Sequence, residues 1–198
     1  NFIEWFTSRP AIAALYPHAV LNQAQFSFDL SVADLYYTLY IGCTLELLQE
    51  GIPASAGASR AELAIMTPSY ADCCLLDECF AARALPCLQT IFFCGEPLRG
   101  STVRRLWQRF PGLRIINAYG PTEATCAISS AEITPDLAAQ EVLPIGRESG
   151  EAVDITLSAE NRICLQGTSV AAGYLNGACF EGRFLTGDLG HFEKEYLW

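Results

Sequence analysis

Short apolar segments alternate with helical segments through residues 1–125, and this alternation constrains the fold more than any other feature of the sequence. Strands separated by helices of this length are joined by right-handed crossovers, which produce a mostly parallel sheet with flanking helices. The predicted helices are the start of residues 1–24, then residues 32–40, 68–80 and 97–110. The predicted strands are residues 44–48, 63–66, 88–94 and 113–116. The sequence therefore predicts an α/β subdomain over residues 1–125.

Two connecting segments of this subdomain carry specific predictions. Residues 26–31 (FSFDLS) are predicted to pass from a strand into a loop. Asp29 or Ser31 is then expected to cap helix 32–40, because a side-chain oxygen at that position can accept a hydrogen bond from a helical N–H. Residues 51–59 are mostly glycine, alanine and serine, so they are predicted to form a loop.

Residues 126–198 have a different pattern. Their apolar stretches are short, glycines and Asp or Asn residues separate them, and no long helical pattern intervenes. The predicted strands are residues 126–133, 142–145, 153–157, 162–165 and 190–196. This pattern indicates an antiparallel sheet or part of a barrel, so we expect a second, β-rich subdomain over residues 126–198.

Composition narrows the class of protein. Hydrophobic residues make up 51% of the chain and charged residues 17%, which is typical of a globular protein and not of a disordered one. The net charge of −10 argues against a nucleic acid partner, because the sequence has no basic stripe to neutralise phosphates. No apolar run reaches the ~18 residues that a membrane span needs, and no signal peptide is visible, so a cytoplasmic location is expected.

The cysteines and lysines exclude two further kinds of site. The nine cysteines form no Cys-x-x-Cys pair and have no histidine partners at zinc-like spacing, so we expect free, mostly buried thiols in a reducing compartment. The chain has eleven arginines but a single lysine, Lys194, and it contains no Gly-x-x-x-x-Gly-Lys-Ser/Thr loop. The sequence is therefore not that of a P-loop nucleotidase.

Residues 117–124 (NAYGPTEA) follow the last predicted strand of the first subdomain and have side chains suited to a nucleotide. Tyr119 offers a flat face to a base, and Gly120 lets the backbone approach a ligand because it has no Cβ. The hydroxyl of Thr122 can donate to a phosphate, and Glu123 can hold magnesium, which proteins bind through one or two carboxylates and substrate phosphates. The alternative is a strand followed by a Gly-Pro turn with an exposed glutamate.

A second polar segment, residues 94–96 (CGE), follows the neighbouring predicted strand. In a parallel sheet, ligands bind outside the carboxyl ends of the strands. We therefore expect residues 94–96 and 119–123 to face one crevice.

Five motifs in a fixed order resemble those of the adenylate-forming enzymes, and within them the amino-acid-activating adenylation domains. They are residues 26–31 (FSFDLS), 117–124 (NAYGPTEA), 143–147 (LPIGR), 164–174 (CLQGTSVAAGY) and 184–189 (FLTGDL). Further stretches are similar to the ligases that load D-alanine onto a carrier protein for teichoic acid modification. These are residues 28–32 (FDLSV), 67–70 (TPSY), 92–98 (FFCGEPL) and 109–111 (RFP). The resemblance covers essentially the whole chain and implies the large amino-terminal domain of such an enzyme.

The resemblance implies ATP and Mg²⁺ as cofactors and a role for each residue of the nucleotide site. Tyr119 packs against the adenine and Asp188 accepts hydrogen bonds from the ribose hydroxyls. Thr122, on the α-phosphate, and Glu123, on magnesium, are the catalytic candidates. The adenine and phosphate wall is formed by Asn117, Ala118, Tyr119, Gly120, Pro121 and Thr122. For Asp188, the alternative is an aspartate in a hairpin turn.

For the amino acid substrate, the resemblance implies a pocket beside the nucleotide. Asp29 pairs with the substrate ammonium, Cys94 with the adjacent Gly95 contacts its small side chain, and Ala118 and Cys126 complete the pocket. The family often has an aliphatic residue at the position of Cys126, so this pocket departs from the family pattern. The alternatives are a plain helix N-cap for Asp29 and small hydrophobic core residues for the cysteines.

The implied reaction joins an amino acid carboxylate to the α-phosphate of ATP, giving aminoacyl-AMP and pyrophosphate. The acyl group then passes to the phosphopantetheine thiol of a carrier protein. Members of the family carry a glycine-, serine- and threonine-rich phosphate loop before the FSFDLS motif and a catalytic lysine in a mobile carboxyl-terminal domain. The sequence contains neither, so we expect an internal fragment that is inactive alone. The open alternatives are a nonribosomal peptide synthetase adenylation domain for another small amino acid, and a non-catalytic binding or scaffold domain of the same fold.

Overall fold

A seven-stranded mixed sheet forms the centre of the computed structural model, which describes residues 2–48, 59–148 and 153–198. Its strands are β1 Ala19–Asn22, β2 Thr44–Leu47, β3 Leu63–Met66, β4 Thr90–Phe93, β5 Arg114–Tyr119, β6 Ser129–Glu132 and β7 Arg147–Glu148. They lie in the order β2-β1-β3-β4-β5-β6-β7. Strands β1 to β5 are parallel to one another, β6 is antiparallel to β5, and β7 is antiparallel to β6. The strands β1, β3 and β4 are buried throughout, as expected where both faces are covered. The predicted α/β fold is confirmed.

Helices cover both faces of this sheet. They are α1 Phe2–Thr7, α2 Pro10–Ala13, α3 Leu30–Ile41, α4 Pro68–Cys74 and α5 Gly100–Arg109. On the face covered by α1 and α3, the ring of Phe6 meets Tyr37 and Phe92 edge-on, with centroid distances of 5.1 and 5.0 Å. On the face covered by α4 and α5, Phe80 and Phe110 pack in the same way at 5.0 Å. None of the helices in the described ranges is long and apolar enough to cross a membrane.

A second, antiparallel sheet follows along the chain. It consists of β8 Asp154–Leu157, β9 Arg162–Gln166 and β10 Arg183–Leu189 in the order β10-β9-β8, and a hairpin of β11 Phe192–Glu193 and β12 Tyr196–Leu197 comes after it. A buried cluster that includes Ala124, Ile128, Ile163 and Leu165 packs this sheet against the end of the first one. The predicted β-rich character is confirmed. Strands β6 and β7 come after residue 125 but belong to the first sheet. The division of the chain into two subdomains at residue 125 therefore stays a prediction.

Two elements near the amino terminus differ from the prediction. Strand β1 was not expected, because its four residues (AVLN) are all buried and show no polar–apolar alternation. Residues 26–31 form a turn and the start of α3 instead of a strand. In this turn the N–H of Phe28 donates to the carbonyl of Gln25 at 2.9 Å, which brings the chain back from the sheet into the helix.

Two later elements also differ from the prediction. Residues 142–145 form no regular strand and contain only an isolated bridge from Val142 to Arg99. Helix α4 ends at Cys74 and does not reach residue 80. Soon after it, the side chain of Asp77 accepts a hydrogen bond from the N–H of Cys79 at 2.8 Å, an Asx-type turn that competes with helix. The predicted loop at 51–59 lies, except for its last residue, outside the described residues.

Candidate active site

Polar side chains from three loops meet at the carboxyl edge of the parallel strands. The Oε1 of Gln23, which follows β1, accepts a hydrogen bond from the N–H of Thr67 after β3 at 3.2 Å. Glu96, which follows β4, accepts from both the N–H and the hydroxyl of Ser69, at 2.9 and 2.8 Å. These hydrogen bonds connect the loops after β1, β3 and β4 at the carboxyl edge of the sheet, where the sequence predicts a crevice.

A surface cavity of about 370 Å³ lies elsewhere, at the amino-terminal edge of the sheet. It is lined by residues 16–18, which precede β1, and residues 41–44, which lead into β2. Ligands of parallel sheets bind at the carboxyl edge, and the predicted site residues lie there. We therefore assign the candidate site to the carboxyl edge.

The motif at residues 117–124 begins inside β5 and not after it. Asn117 is buried, and its Nδ2 donates to the carbonyl oxygen of Pro144 at 2.9 Å. This bond ties β5 to the segment that precedes β7. Ala118 belongs to the buried cluster on the α1 and α3 face, whereas Tyr119 packs against the cluster shared with the second sheet. Neighbouring residues of the motif therefore face opposite sides of the sheet.

Gly120 is needed by the protein's own backbone. A Cβ at this position would lie 2.7 Å from the Cα of Ala127 and 2.8 Å from the carbonyl oxygen of Cys126, closer than real Cβ contacts. The sequence alone predicted only that Gly120 admits a ligand. Pro121 then leads into a short 3-10 turn, Thr122–Ala124, in which the threonine is exposed and the glutamate half-buried.

Tyr119 and Asp188, which are 69 residues apart in sequence, form a hydrogen bond in which the tyrosine hydroxyl donates to Oδ2 at 2.7 Å. The pKa of Tyr119 is raised, mainly by burial and further by this bond to the carboxylate. The hydroxyl therefore stays protonated and can donate at neutral pH. Asp188 lies within β10, at the irregularity between Leu185 and Leu189. The hairpin-turn alternative for Asp188 is therefore wrong.

Glu123 has a partner that sequence reasoning missed. The hydroxyl of Tyr174 donates to its Oε1, and the N–H of Ala171 donates to its carbonyl oxygen at 2.7 Å. Tyr174 is the last residue of the motif at 164–174, and that position is the one signal in the sequence that could have pointed to it. The loop after β9 thus contacts the glutamate through both its backbone and its side chain.

The residues predicted to line the amino acid pocket lie in one buried cluster beside α3, with Gly95 exposed at its edge. Cys94, Ala118 and Cys126 are each less than 4% exposed, and the thiol of Cys94 donates to the carbonyl oxygen of Cys126 at 3.2 Å. The pKa of Cys126 is raised, first by its interaction with Cys94, then by burial, and further by the negative charges of Asp29 and Asp34. The Cys126 thiol is therefore protonated at neutral pH, which does not favour its action as a nucleophile.

The carboxylate of Asp29 does not act as a helix cap. The residue occupies the N-cap position of α3, but its side chain makes no capping hydrogen bond. The other predicted cap, Ser31, donates its hydroxyl to the carbonyl of Phe28 at 2.7 Å and lies inside the helix. The predicted position of the cap at Asp29 is therefore confirmed, but the predicted capping hydrogen bond is not formed by Asp29 or by Ser31. The half-buried carboxylate of Asp29 lies at the amino end of α3, beside the cysteine cluster.

A second aspartate, Asp34, lies deeper in the same region and was not predicted from the sequence. Its side chain is fully buried, and Oδ2 accepts a hydrogen bond from the Nδ2 of Asn22 at 2.6 Å. Asn22 also donates to the carbonyl of Ala24 at 3.0 Å, so the pair joins the end of β1 to α3. Burial raises the pKa of Asp34 to about 6, and the bond from Asn22 opposes this shift.

This buried carboxyl predicts a pH-dependent stability. Between the usual aspartate pKa of about 4 and a pKa of about 6, the folded state holds the proton more tightly, so stability falls as pH rises through this window. The free energy of unfolding should fall by about 3 kcal/mol in total, for a shift of about 2 pKa units. In urea unfolding from pH 4.5 to 7.5, Asp34→Asn should lack this loss, and the exposed control Asp136→Asn should keep it. Parallel stability curves for wild type and Asp34→Asn would contradict this account.

The sequence of this chain matches a known protein family. The family model described as AMP-binding enzyme matches residues 5–175. The D-alanine--D-alanyl carrier protein ligase of Bacillus licheniformis is 34% identical, over all of this chain and 44% of the ligase. The ligase of the same name from Listeria monocytogenes serovar 1/2a is 41% identical, over 90% of this chain and 40% of the ligase. The chain thus spans less than half the length of these relatives.

Solved structures share the fold at lower identity. A Vibrio cholerae adenylation domain in complex with glycyl-adenosine-5'-phosphate superposes with a TM-score of 0.83 at 24% identity, over 99% of this chain and 42% of that one. The O-succinylbenzoate coenzyme A synthetase of Bacillus subtilis, in complex with ATP and magnesium ion, gives a TM-score of 0.79 at 16% identity, over 100% and 44%. On the extent of the family match, this chain belongs to the AMP-binding enzyme family.

Proposed function

We propose that this chain forms the core of an amino acid adenylation site, in a ligase that activates D-alanine as D-alanyl-AMP and passes it to a carrier protein. The observation that carries the proposal is the hydrogen bond between Tyr119 and Asp188. It brings a side chain suited to a base and one suited to a ribose within 2.7 Å of each other, although they come from different sheets. The similarity to D-alanine ligases at 34–41% identity supports the choice of substrate.

The nucleotide would bind across the junction of the two sheets. Residues 117–122 form its wall at the end of β5, with Tyr119 against the adenine. Asp188 uses Oδ2 for Tyr119, which leaves Oδ1 to accept a ribose hydroxyl. The exposed hydroxyl of Thr122 donates to the α-phosphate.

Glu123 fits a magnesium site of the kind in which one carboxylate and the substrate phosphates share the ion. Its Oε1 accepts from Tyr174, so Oε2 is the oxygen that would bind the metal. Among the described residues, no group of three or more His, Cys, Asp or Glu side chains is placed to hold a metal ion. The ion, when bound, neutralises negative charge on the phosphates.

The amino acid would lie beside α3. The carboxylate of Asp29 pairs with the substrate ammonium, because it makes no capping bond and lies next to the pocket. Cys94, Gly95, Ala118 and Cys126 surround the side chain, and all four are small residues. This set favours a small amino acid.

In the proposed reaction, an oxygen of the amino acid carboxylate attacks the α-phosphorus of ATP, the bond to the β-phosphate oxygen breaks, and pyrophosphate leaves. The carrier thiol then attacks the acyl carbonyl, loses its proton and displaces AMP. The residues of this chain act mainly by alignment and by orienting charge. The single lysine, Lys194, lies in the turn between β11 and β12, so the lysine that family resemblance assigns to this reaction would come from elsewhere in the full-length protein.

An amino-acid-dependent exchange of pyrophosphate into ATP by the full-length protein tests this proposal. D-Alanine should support the fastest exchange in a panel that also includes L-alanine, glycine, L-serine and L-valine. Preference for another small amino acid would favour the alternative of a peptide synthetase adenylation domain. No exchange with any amino acid would favour the non-catalytic binding or scaffold domain and overturn the proposal.

A further inference from the structure

The loop between β9 and β10 forms two hydrogen bonds with Glu123 and shares a buried cluster with the neighbouring residue. The N–H of Ala171 donates to the glutamate's carbonyl oxygen at 2.7 Å, and the hydroxyl of Tyr174 donates to Oε1 of the same residue. The buried side chain of Val170 lies in the same cluster as Ala124, the neighbour of Glu123. The loop therefore fixes both the backbone and the carboxylate of Glu123.

The ring of Tyr174 is itself held by aromatic packing. It meets Phe180 edge-on with a centroid distance of 5.0 Å, and Phe180 packs on Phe184 of β10 at 4.8 Å. The N–H of Phe180 donates to the carbonyl of Ala172 at 3.0 Å, which closes the loop upon itself. Tyr174 thus reaches Glu123 from a support anchored on the second sheet, although the tyrosine is 56% exposed.

We propose that Tyr174 is a positioning residue for Glu123: its hydroxyl holds Oε1 and thereby turns Oε2 toward the metal that accompanies the nucleotide. The inference rests on the proposed function, since it assigns Glu123 to the metal. Ligating carboxylates are usually hydrogen-bonded by a second residue, and loss of such a partner typically lowers metal affinity about 10- to 100-fold. A neutral tyrosine hydroxyl suits this role because it donates one hydrogen bond without adding charge.

The test compares Tyr174→Phe with wild type in the full-length protein. Phenylalanine keeps the ring and its contact with Phe180 but removes the hydroxyl. The control is Tyr40→Phe, at an exposed tyrosine near the carboxyl end of α3. Binding of Mn²⁺ to the complex with a non-hydrolysable ATP analogue is measured by electron paramagnetic resonance, without turnover. The Mg²⁺ dependence of pyrophosphate exchange is measured in parallel.

We expect Tyr174→Phe to raise the Kd for Mn²⁺ and the half-saturating Mg²⁺ concentration by about 10-fold, with the KM for the amino acid unchanged. An unchanged Mn²⁺ Kd, or a lower kcat with unchanged metal dependence, would overturn the positioning role and leave the proposed function intact. Failure of the wild-type protein to bind Mn²⁺ with the nucleotide would overturn the metal assignment of Glu123 and this inference with it. Circular dichroism and thermal midpoints that match wild type will show that the variant is folded.

Discussion

Glu123→Gln should lower the rate of aminoacyl-AMP formation by the full-length protein on the order of 100-fold or more, about 3 kcal/mol of transition-state stabilisation. Glutamine keeps the size of the side chain and can still accept from Tyr174, so the loss measures the missing negative charge. The KM for the amino acid should change little, because the groups proposed to bind it, Asp29 and the buried cluster of Cys94, Ala118 and Cys126, are other side chains beside α3. Rapid-quench measurement of a single turnover reports the chemical step directly.

The matched control for this prediction is Glu193→Gln, at an exposed glutamate of the β11–β12 hairpin, which should behave as wild type. High magnesium should restore part of the activity of Glu123→Gln, since a weaker site can still be filled by mass action. Wild-type activity of Glu123→Gln at low magnesium would remove Glu123 from the metal site.

Phe92→Ala should destabilise the domain by about 3–5 kcal/mol, a large part of the 5–15 kcal/mol that folded domains typically have. Phe92 is fully buried in the central strand β4 and packs edge-on against Phe6 at 5.0 Å. Its removal leaves a cavity between the sheet and α1, where few side chains can move to fill it. The midpoint of thermal unfolding should fall by roughly 10 °C.

The same substitution at Phe192, which is half-exposed on the β11–β12 hairpin, provides the control and should lower the midpoint far less. Equal shifts for Phe92→Ala and Phe192→Ala would show that burial in the core does not decide the outcome. Phe92 lies two residues before Cys94 in the same cluster, so Phe92→Ala should also loosen the amino acid pocket.

Sequence patterns were sufficient for the elements that have a clear period or a clear boundary. The strand at residues 63–66 was predicted to the residue, and α3 and α5 differ from the prediction by a few terminal residues. Strand β1 was missed because four buried residues give no alternation. Residues 26–31 were predicted to pass from a strand into a loop, whereas they form a turn in which both phenylalanines are exposed.

For the candidate site, the sequence provided residues but not their pairings. Tyr119 and Asp188 were each assigned to a nucleotide, yet their hydrogen bond spans 69 positions and depends on how the two sheets pack. Tyr174 and Asp34 were missed for the same reason, because their partners lie on other elements. The chemical groups available to a site can be predicted from the sequence, whereas contacts between distant segments depend on the fold.

Identification of the reaction products tests the central claim, an amino acid adenylation site, most directly. The full-length protein is incubated with ATP, Mg²⁺ and D-alanine without a carrier protein. The products are then separated, identified by mass spectrometry and quantified. The account predicts D-alanyl-AMP and an equal amount of pyrophosphate, formed only when the amino acid is present. Formation of ADP and orthophosphate, or no consumption of ATP that depends on an amino acid, would contradict it.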